Sequence, residues 1–526
     1  MTTMDKSITG AGRHMVLDRR RVLLGTSAGL GGLALTKAGL GTARAATSDT
    51  LVYGLSAFPP GIAPFQHAGA ASNTVKLLIF RGLLGLDSEG KVVADLAESW
   101  APDGDRAYVF KLRSNAKFHN GLPVTASDVK FSLEQISAPE STAYLINEFR
   151  GVERIEEIDP STVRIVMKEP TPSILENLAG PYAPIISAKA HASDPANPIG
   201  AGPYKITKTE KGVAIEFERF ADYYKPGLPK TPKLRMIVYK DESLRVAALE
   251  SGDVDIIEYV PWQNMDAIAA NSQLVLQESL GPIMYLSFNV ERPPFNDKRV
   301  RQAVAYAIKR EDIVKAAFFG RGAPLAGLPI GQESEFYSDA LANLWPYDPD
   351  KAKQLLQDAG ALGTKVTLLS TGTYNMHKDT AEIVQQHLMA AGLMVELSLP
   401  EWGARVAQGN KGQYQFAVNG GAMAIADPDG LTGLIGTQSP SYRRSFGYSS
   451  SKVDQLLAEA RHSTESEKRK AFYAQVAEVV EDEVPLCSLS WRSQGYAMTT
   501  KVKGFDTIPG ILNSYSGFIL EDAYIG

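Results

Sequence analysis

The residues best suited to metal binding or acid–base chemistry are spread thinly along this chain. Seven histidines occur, and none forms the His-Glu-x-x-His pattern that places two zinc ligands on one helical face. His377 and His387 are ten residues apart, almost three helical turns, which is too far for both to ligate one ion. The sequence therefore predicts no metal site.

The sequence gives equally little indication of a catalytic nucleophile. A Gly-x-Ser-x-Gly pattern spans residues 25–29, but it lies in an N-terminal segment with the features of an export signal, not between a strand and a helix. The single cysteine, Cys487, lies in an apolar run, which predicts a small buried core residue. Asp427 and Asp429 belong to an Asp-Pro-Asp-Gly run that is typical of a turn. We therefore expect no enzyme activity and no cofactor.

The remaining chain alternates short strand and helix patterns, which favours α/β or mixed α+β lobes. Residues 51–55 and 107–113 read as strands, and residues 155–158 and 163–167 flank a turn that predicts a hairpin. Capping residues mark predicted helix starts at Thr125, Asp297, Asp348 and Thr464.

Size and charge limit the function classes. The chain has 526 residues, more than one hydrophobic core organises, so two or three core units are expected. Hydrophobic residues make up 44% and charged residues 21%, as in folded globular proteins rather than disordered ones. The formal net charge is −5 with no basic stripe, which argues against a nucleic-acid partner.

The N-terminal segment 1–45 has the three parts of an export signal. Arg19 and Arg20 begin a basic region, a glycine-rich apolar stretch follows, and Ala43-Arg44-Ala45 forms a small-x-small cleavage site. The paired arginines resemble a twin-arginine signal. Because the apolar stretch is interrupted by glycines and Lys37, we expect cleavage. An uncleaved anchor remains the alternative.

Residues 50–525 resemble the extracellular solute-binding proteins of the oligopeptide, dipeptide and nickel type, family 5. The most specific block is Val-Ala-Asp-Leu-Ala-Glu-Ser-Trp at 93–100. Further blocks follow in the family's order at 108–113, 117–121, 125–129, 200–204, 249–255, 294–303 and 347–352.

The resemblance implies a mixed α+β, two-lobed periplasmic-binding-protein clamshell with an extra inserted domain. A solute binds between the lobes, and contacts made only in the closed state draw the population towards it. The predicted divisions are an export signal at 1–45, lobe one at 46–88, 200–288 and 496–526, the inserted domain at 89–199, and lobe two at 289–495.

The resemblance also implies a set of ligand-binding residues in the cleft. Trp402 belongs to the Glu-Trp-Gly block, the paired glycines allow close backbone approach, and Arg443 can clamp a carboxylate with two hydrogen bonds. The implied set is Phe58, His67, Tyr285, Trp402, Asn419, Gly420, Gly421, Met423 and Arg443.

One loop departs from the family pattern. Dipeptide-binding relatives have an aspartate for the peptide's amino group where this chain has Ala424, and a tryptophan where it has Gly421. Burying an ammonium group without a partner is costly. We therefore expect a solute with an apolar or ring-like body and no obligatory free α-amino group. A peptide, an opine, a sugar and a metal chelate all remain open.

The function implied by the resemblance is that of the periplasmic solute-binding component of an ABC importer. The expected partners are a small organic solute and the permease subunits in the inner membrane, and the protein is expected to be monomeric. Two alternatives remain: a solute-sensing receptor that feeds no permease, and a secreted hydrolase, for which the sequence offers no motif.

Overall fold

A computed structural model of the chain describes residues 49–66, 69–141, 143–171, 173–190, 198–332, 334–421, 427–437, 441–463, 465–508 and 515–526. The predicted export signal lies outside these residues, as do His67, Met423 and Ala424.

The strands, β1 to β19 in chain order, are Thr50–Leu55, Leu84–Leu86, Val92–Ala94, Ala97–Pro102, Ala107–Leu112, Val152–Asp159, Thr162–Met167, Tyr204–Glu210, Ala214–Arg219, Lys233–Val238, Ile256–Glu258, Leu274–Phe288, Gly322–Pro324, Lys365–Leu369, Met394–Ser398, Phe416–Gly420, Leu486–Thr499, Val502–Lys503 and Tyr524–Ile525.

The α-helices, α1 to α16 in chain order, are Ala70–Ile79, Ala126–Ser137, Ile146–Phe149, Ile174–Ala179, Glu242–Ser251, Met265–Ala270, Lys298–Ala307, Arg310–Ala317, Asp339–Ala342, Pro349–Asp358, Asn375–Ala391, Trp402–Asn410, Thr432–Ile435, Ser451–His462, Ser466–Glu483 and Ser516–Ile519. Short 3-10 turns lie at Trp262–Asn264 and Pro428–Leu431.

One large mixed sheet carries most of the strands. Its order is β15-β14-β16-β12-β17-β11-β1-β10-β9-β8, and β13 pairs with β17. The central strands β12 and β17 contain 15 and 14 residues and pair antiparallel from Leu274 to Ser287, with an irregularity between Leu280 and Ile283. These two long strands join one half of the sheet, around β1, to the other half, around β14 and β16.

A separate antiparallel sheet, ordered β4-β5-β7-β6, follows the first helix. Its core includes Phe110 from β5, Ile165 from β7 and Leu133 from α2, all buried. The predicted hairpin is confirmed as β6 and β7. The boundaries of the lobes and of the inserted domain stay predictions.

The predicted helix starts are mostly confirmed, because a cap is a local interaction. Thr125 and Asp128 form the reciprocal capping box of α2, and the Asp297 and Asp348 side chains accept backbone hydrogen bonds at the starts of α7 and α10. Helix α15 instead has Glu465 at its N-cap position, with no side-chain cap bond, and Thr464 lies outside the described residues.

The prediction for Cys487 is also confirmed. It is buried in the largest hydrophobic cluster, and burial raises the pKa of its thiol to about 11, so the thiolate is scarce at neutral pH.

Among the helices of the described ranges, none has both the length and the apolar character needed to cross a bilayer.

Candidate solute-binding site

The end of β16 is the centre of the candidate site. Asn419 in this strand is buried and pairs in register with Tyr285 of β12. The Asn419 amide nitrogen donates to Ser287 Oγ at 2.7 Å, and its Oδ1 accepts from the Arg405 guanidinium. Both ends of the amide are therefore engaged by the protein, and Asn419 fixes the position of Arg405.

Arg405 projects from α12 into the protein interior and has 0% exposure. Its Nη2 also donates to the Val418 carbonyl at 2.6 Å, whereas its Nε and Nη1 have no hydrogen-bond partner among the described residues. The Trp402 and Tyr442 rings lie 5.7 and 5.4 Å from the guanidinium carbon. Burial lowers the pKa of Arg405 because it disfavours the charged form.

His377 of α11 lies against Gly420, the last residue of β16. A Cβ placed on Gly420 would lie 3.3 Å from His377 Nε2 and 3.2 Å from the Met284 sulfur. The space beside this glycine is thus occupied by protein side chains. Burial, followed by the charges of Arg405 and Arg492, lowers the pKa of His377 well below its usual value. The imidazole is therefore neutral, and its buried Nδ1 has no described partner.

Arg492 of β17 contacts Gly421, the residue that follows β16. Its Nη2 donates to the Gly421 carbonyl at 3.3 Å and its Nη1 to Gln494 Oε1 at 2.8 Å. Its Nε has no partner in the described part of the chain. The side chain is 2% exposed, and burial lowers its pKa to about 10. Gly421 is held in turn by its backbone bond to the Ile283 carbonyl at 2.9 Å.

Trp402 begins α12 and lies at the centre of an aromatic group. Its ring is edge-on to Tyr374 at 5.3 Å and to Tyr442 at 5.9 Å, and it lies 5.5 Å from His377. Its backbone nitrogen donates to Thr373 Oγ1 at 3.0 Å. The ring is half-buried, so one part of a rigid aromatic wall remains open for contact.

Three contacts join residues of different predicted divisions: the first joins lobe one to lobe two, and the other two join the inserted domain to lobe two. Asn375 Nδ2 donates to Glu242 Oε2 at 3.1 Å. Ser173 Oγ donates to Asp429 Oδ2 at 3.0 Å. The Arg443 guanidinium lies 5.4 Å from the centre of the Tyr144 ring. The start of α11 beside Tyr374 and the segment that carries Tyr442 and Arg443 thus contact the N-terminal half of the chain.

The structure places the other predicted residues as follows. Phe58 is half-buried and packs against a hydrophobic core cluster. Tyr285 is buried, and its hydroxyl donates to the Arg443 carbonyl at 2.6 Å, so it positions that arginine's backbone. Arg443 is half-buried, and burial lowers its pKa.

The sequence reasoning missed Arg405, Arg492, His377 and Tyr374. An arginine or histidine in a single sequence resembles a surface residue, because its burial depends on partners far along the chain. No group of three or more potential metal ligands lies together among the residues that the structure describes.

The chain belongs to a known family. The family model for bacterial extracellular solute-binding proteins, family 5 Middle, matches residues 91–443, so this protein is a member of the family 5 solute-binding proteins, as the sequence blocks predicted.

Its relatives include glutathione-binding proteins GsiB. The one from Escherichia coli O1:K1 / APEC is 30% identical over 88% of this chain and 91% of its own length. The one from Pectobacterium atrosepticum is 29% identical over 86% of this chain and 90% of its own. These relatives are named for binding, not for catalysis.

Solved structures show the same fold. PBP AgaA in complex with agropinic acid, from A. tumefaciens R10, is 37% identical with a TM-score of 0.86, covering 91% of this chain and 99% of its own. The ABC transporter-associated periplasmic binding protein DppA of Helicobacter pylori, 24% identical, has a TM-score of 0.81 over 90% of this chain and 98% of its own. The predicted two-lobed, mixed α+β periplasmic-binding-protein fold is confirmed.

Proposed function

We propose that this protein is the periplasmic solute-binding component of an ABC importer. It captures a peptide-like or other amphipathic organic solute between its lobes and delivers it to the permease. The observation that carries the proposal is the convergence of the Trp402 aromatic group with buried polar groups that have no hydrogen-bond partner among the described residues, in a chain of the family 5 solute-binding proteins. Small-molecule sites combine these two features, an apolar wall and a few placed polar groups.

Binding is coupled to lobe closure. The Asn375–Glu242 and Ser173–Asp429 hydrogen bonds join the two halves of the chain. The first pair is exposed and the second is partly buried, and single hydrogen bonds contribute only about 0.5–1.5 kcal/mol each. They therefore leave the open state accessible, and a solute that touches both lobes supplies the differential free energy for closure. The closed form then presents one continuous surface to the permease.

Two relatives indicate what kind of solute to test first. GsiB proteins are named for glutathione, and AgaA was solved with agropinic acid. Because Ala424 stands where dipeptide-binding relatives have an aspartate, a free α-amino group is not required of the solute. The proposal includes export through the twin-arginine route, removal of residues 1–45 and a monomeric mature protein.

The test is a thermal-shift titration of the mature protein with agropinic acid, glutathione and the dipeptide Met-Leu, followed by solution scattering with any binder. A solute present at 100 times its dissociation constant should stabilise the protein by about 2.7 kcal/mol, and the radius of gyration should fall as the lobes close. A saturating binder that leaves the radius of gyration unchanged contradicts the closure mechanism. Loss of uptake in a deletion strain separates an importer component from a receptor that feeds no permease.

A further inference from the structure

We propose that the contact between the predicted inserted domain and lobe two is a pH-sensitive latch on closure. Its parts are Glu148 and Glu176 of the inserted domain, which face Asp427 and Asp429 of lobe two. The latch favours the closed form, and with it the retention of solute, as the pH falls below neutrality. This proposal rests on the proposed function, since it describes what regulates the closure that captures the solute.

The contact contains a direct hydrogen bond between the two divisions. Ser173, at the N-cap of α4, donates from Oγ to Asp429 Oδ2 at 3.0 Å. Glu176 follows Ser173 by three positions, so the two lie on the same side of the helix. Asp429 is also within electrostatic reach of Glu148 of α3. Two carboxylates of the inserted domain therefore meet two carboxylates of lobe two.

The two arginines of this contact are already paired with the aspartates. Arg461 of α14 donates from Nε to Asp429 Oδ1 at 2.8 Å. Arg469 of α15 donates from Nη2 to Asp427 Oδ1 at 2.6 Å. Closure thus adds two glutamates to a set of two aspartates and two arginines that is neutral by itself. The assembled contact has an excess of negative charge, which disfavours the ionised form of the glutamates.

The other groups around the latch do not neutralise this excess. Tyr515 lies within electrostatic reach of Glu176, and burial raises the pKa of its hydroxyl, so it stays protonated and uncharged. Helix α4 packs against β2 and β3, whose residues carry no charge. Helix α3 packs against α2, whose charged residues are Asp128, Lys130 and Glu134. Together those three add no net positive charge.

Both glutamates respond as this arrangement requires. Desolvation by the surrounding protein, followed by the charges of Asp427 and Asp429, raises the pKa of Glu176 to about 7. Arg469 opposes this shift. Desolvation, with the charge of Asp429, also raises the pKa of Glu148. Both glutamates remain exposed to solvent, so protons reach them in the closed form, and solvent screens part of the repulsion.

The direction of the pH effect follows from these pKa values. When the lobes open, Glu176 moves away from the aspartates of lobe two, and its pKa returns towards the ordinary value of about 4.3. The closed form therefore binds the proton more tightly, and lowering the pH from about 7 towards 5 stabilises it relative to the open form. Desolvation by the inserted domain itself persists on opening, so only part of the shift is coupled to closure.

The test compares the mature wild-type protein with Glu176→Gln, which keeps the side chain uncharged at every pH. Titration calorimetry with agropinic acid, and separately with glutathione, measures the affinity at several values between about pH 5.5 and 7.5. Comparing proteins at one pH cancels the protonation of the solute itself. Glu157→Gln is the matched control, because Glu157 is also an exposed glutamate of the inserted domain but lies on β6.

Removal of the charge should strengthen binding at the upper end of this range. At about pH 7.5, Glu176→Gln should bind the solute at least about threefold more tightly than the wild type, and the difference should vanish towards about pH 5.5 as the wild type takes up its proton. Glu148→Gln should act in the same direction. Glu157→Gln should follow the wild type within about 1.5-fold throughout.

A second measurement needs no solute. Spin labels on cysteines introduced at Lys168 and Gln475, which are exposed positions of the inserted domain and of lobe two, report the distance between these divisions. The native Cys487 is buried and should take no label. In the ligand-free protein the fraction at short distance should rise as the pH falls, and it should stay constant when Glu176→Gln is added.

Two results would overturn the proposal. One is a Glu176→Gln protein with the affinity of the wild type at every pH. The other is a short-distance fraction that does not depend on pH, or that depends on it equally with and without Glu176→Gln. A protein that binds neither solute but shows the expected spin-label result would support the latch and count against the proposed function.

Discussion

Replacing Trp402 by alanine tests whether its ring contacts the solute or only packs within the protein. The ring makes three aromatic contacts, with Tyr374, His377 and Tyr442, and each such pair contributes about 0.5–1.5 kcal/mol beyond its buried area. A fully buried tryptophan costs about 3–5 kcal/mol when truncated to alanine. Because Trp402 is only half-buried, we expect the free energy of unfolding to fall by roughly 2 kcal/mol, scaled from that range.

The effect on binding should be separate from this stability loss. If the open part of the ring packs on the solute, its removal should weaken binding by more than about 1 kcal/mol, in the range of an aromatic anchor at an interface. That corresponds to at least a fivefold rise in the dissociation constant. Titration calorimetry measures the affinity, and urea denaturation without ligand measures the stability.

Trp100→Ala is the matched control for this experiment. Trp100 is also half-buried, but it lies on β4 and packs against the core of the separate antiparallel sheet. The Trp100→Ala protein should lose a similar free energy of unfolding and keep its affinity for the solute within about twofold of the wild type. Equal affinities of the Trp402→Ala and wild-type proteins, with a normal loss of stability, would refute the assignment of this ring to the solute.

Three further predictions concern stability and export. Glu521→Ala should lower the free energy of unfolding by about 3–5 kcal/mol at neutral pH, because it removes a carboxylate that lies 2.7 Å from the buried Arg81 guanidinium. The pKa of the Glu521 carboxyl is lowered in the folded state, so this contribution should fade as the pH falls below the ordinary pKa of a glutamate. A series of denaturation curves at falling pH that shows no such loss would contradict this prediction. Burial lowers the pKa of His119 to about 4. The neutral buried imidazole therefore contributes fully to stability above its unfolded pKa of about 6.5, and this contribution, at most about 3 kcal/mol, is lost between pH 6.5 and 4. His119→Gln should flatten the dependence of the free energy of unfolding on pH in that window, and an unchanged slope would assign the dependence to other groups. Replacing Arg19 and Arg20 by lysine should leave the precursor in the cytoplasm, as an immunoblot of cell fractions would show, whereas normal processing would rule out the twin-arginine route.

Local features of the fold were predictable from the sequence, and the buried charges were not. The Thr125 cap and the β6–β7 hairpin depend on residues a few positions apart, so their patterns are readable. One partner of Arg492 is the carbonyl of Gly421, 71 residues away, and no local pattern shows that this arginine is buried. Arg405 follows Trp402 by three positions in an ordinary helical sequence.

The glycines at the end of β16 illustrate the same limit. Their small size indicates a close approach of some group to the backbone, but it does not name the group. The structure places His377 and the Met284 sulfur beside Gly420, both from other elements of the chain. Trp402 was predicted as a solute contact because its Glu-Trp-Gly block is characteristic of the family, and that contact stays a prediction; the buried Arg405 and Arg492 belong to no such block.

The most direct test of solute capture is native mass spectrometry of the mature protein, purified without added ligand from cells that export it. We expect a population that carries one small organic molecule in addition to the polypeptide mass. That molecule should be released on unfolding and should rebind the stripped protein. A stripped protein that regains neither that molecule nor any other solute from the growth medium would contradict the claim that this chain is a solute-binding protein.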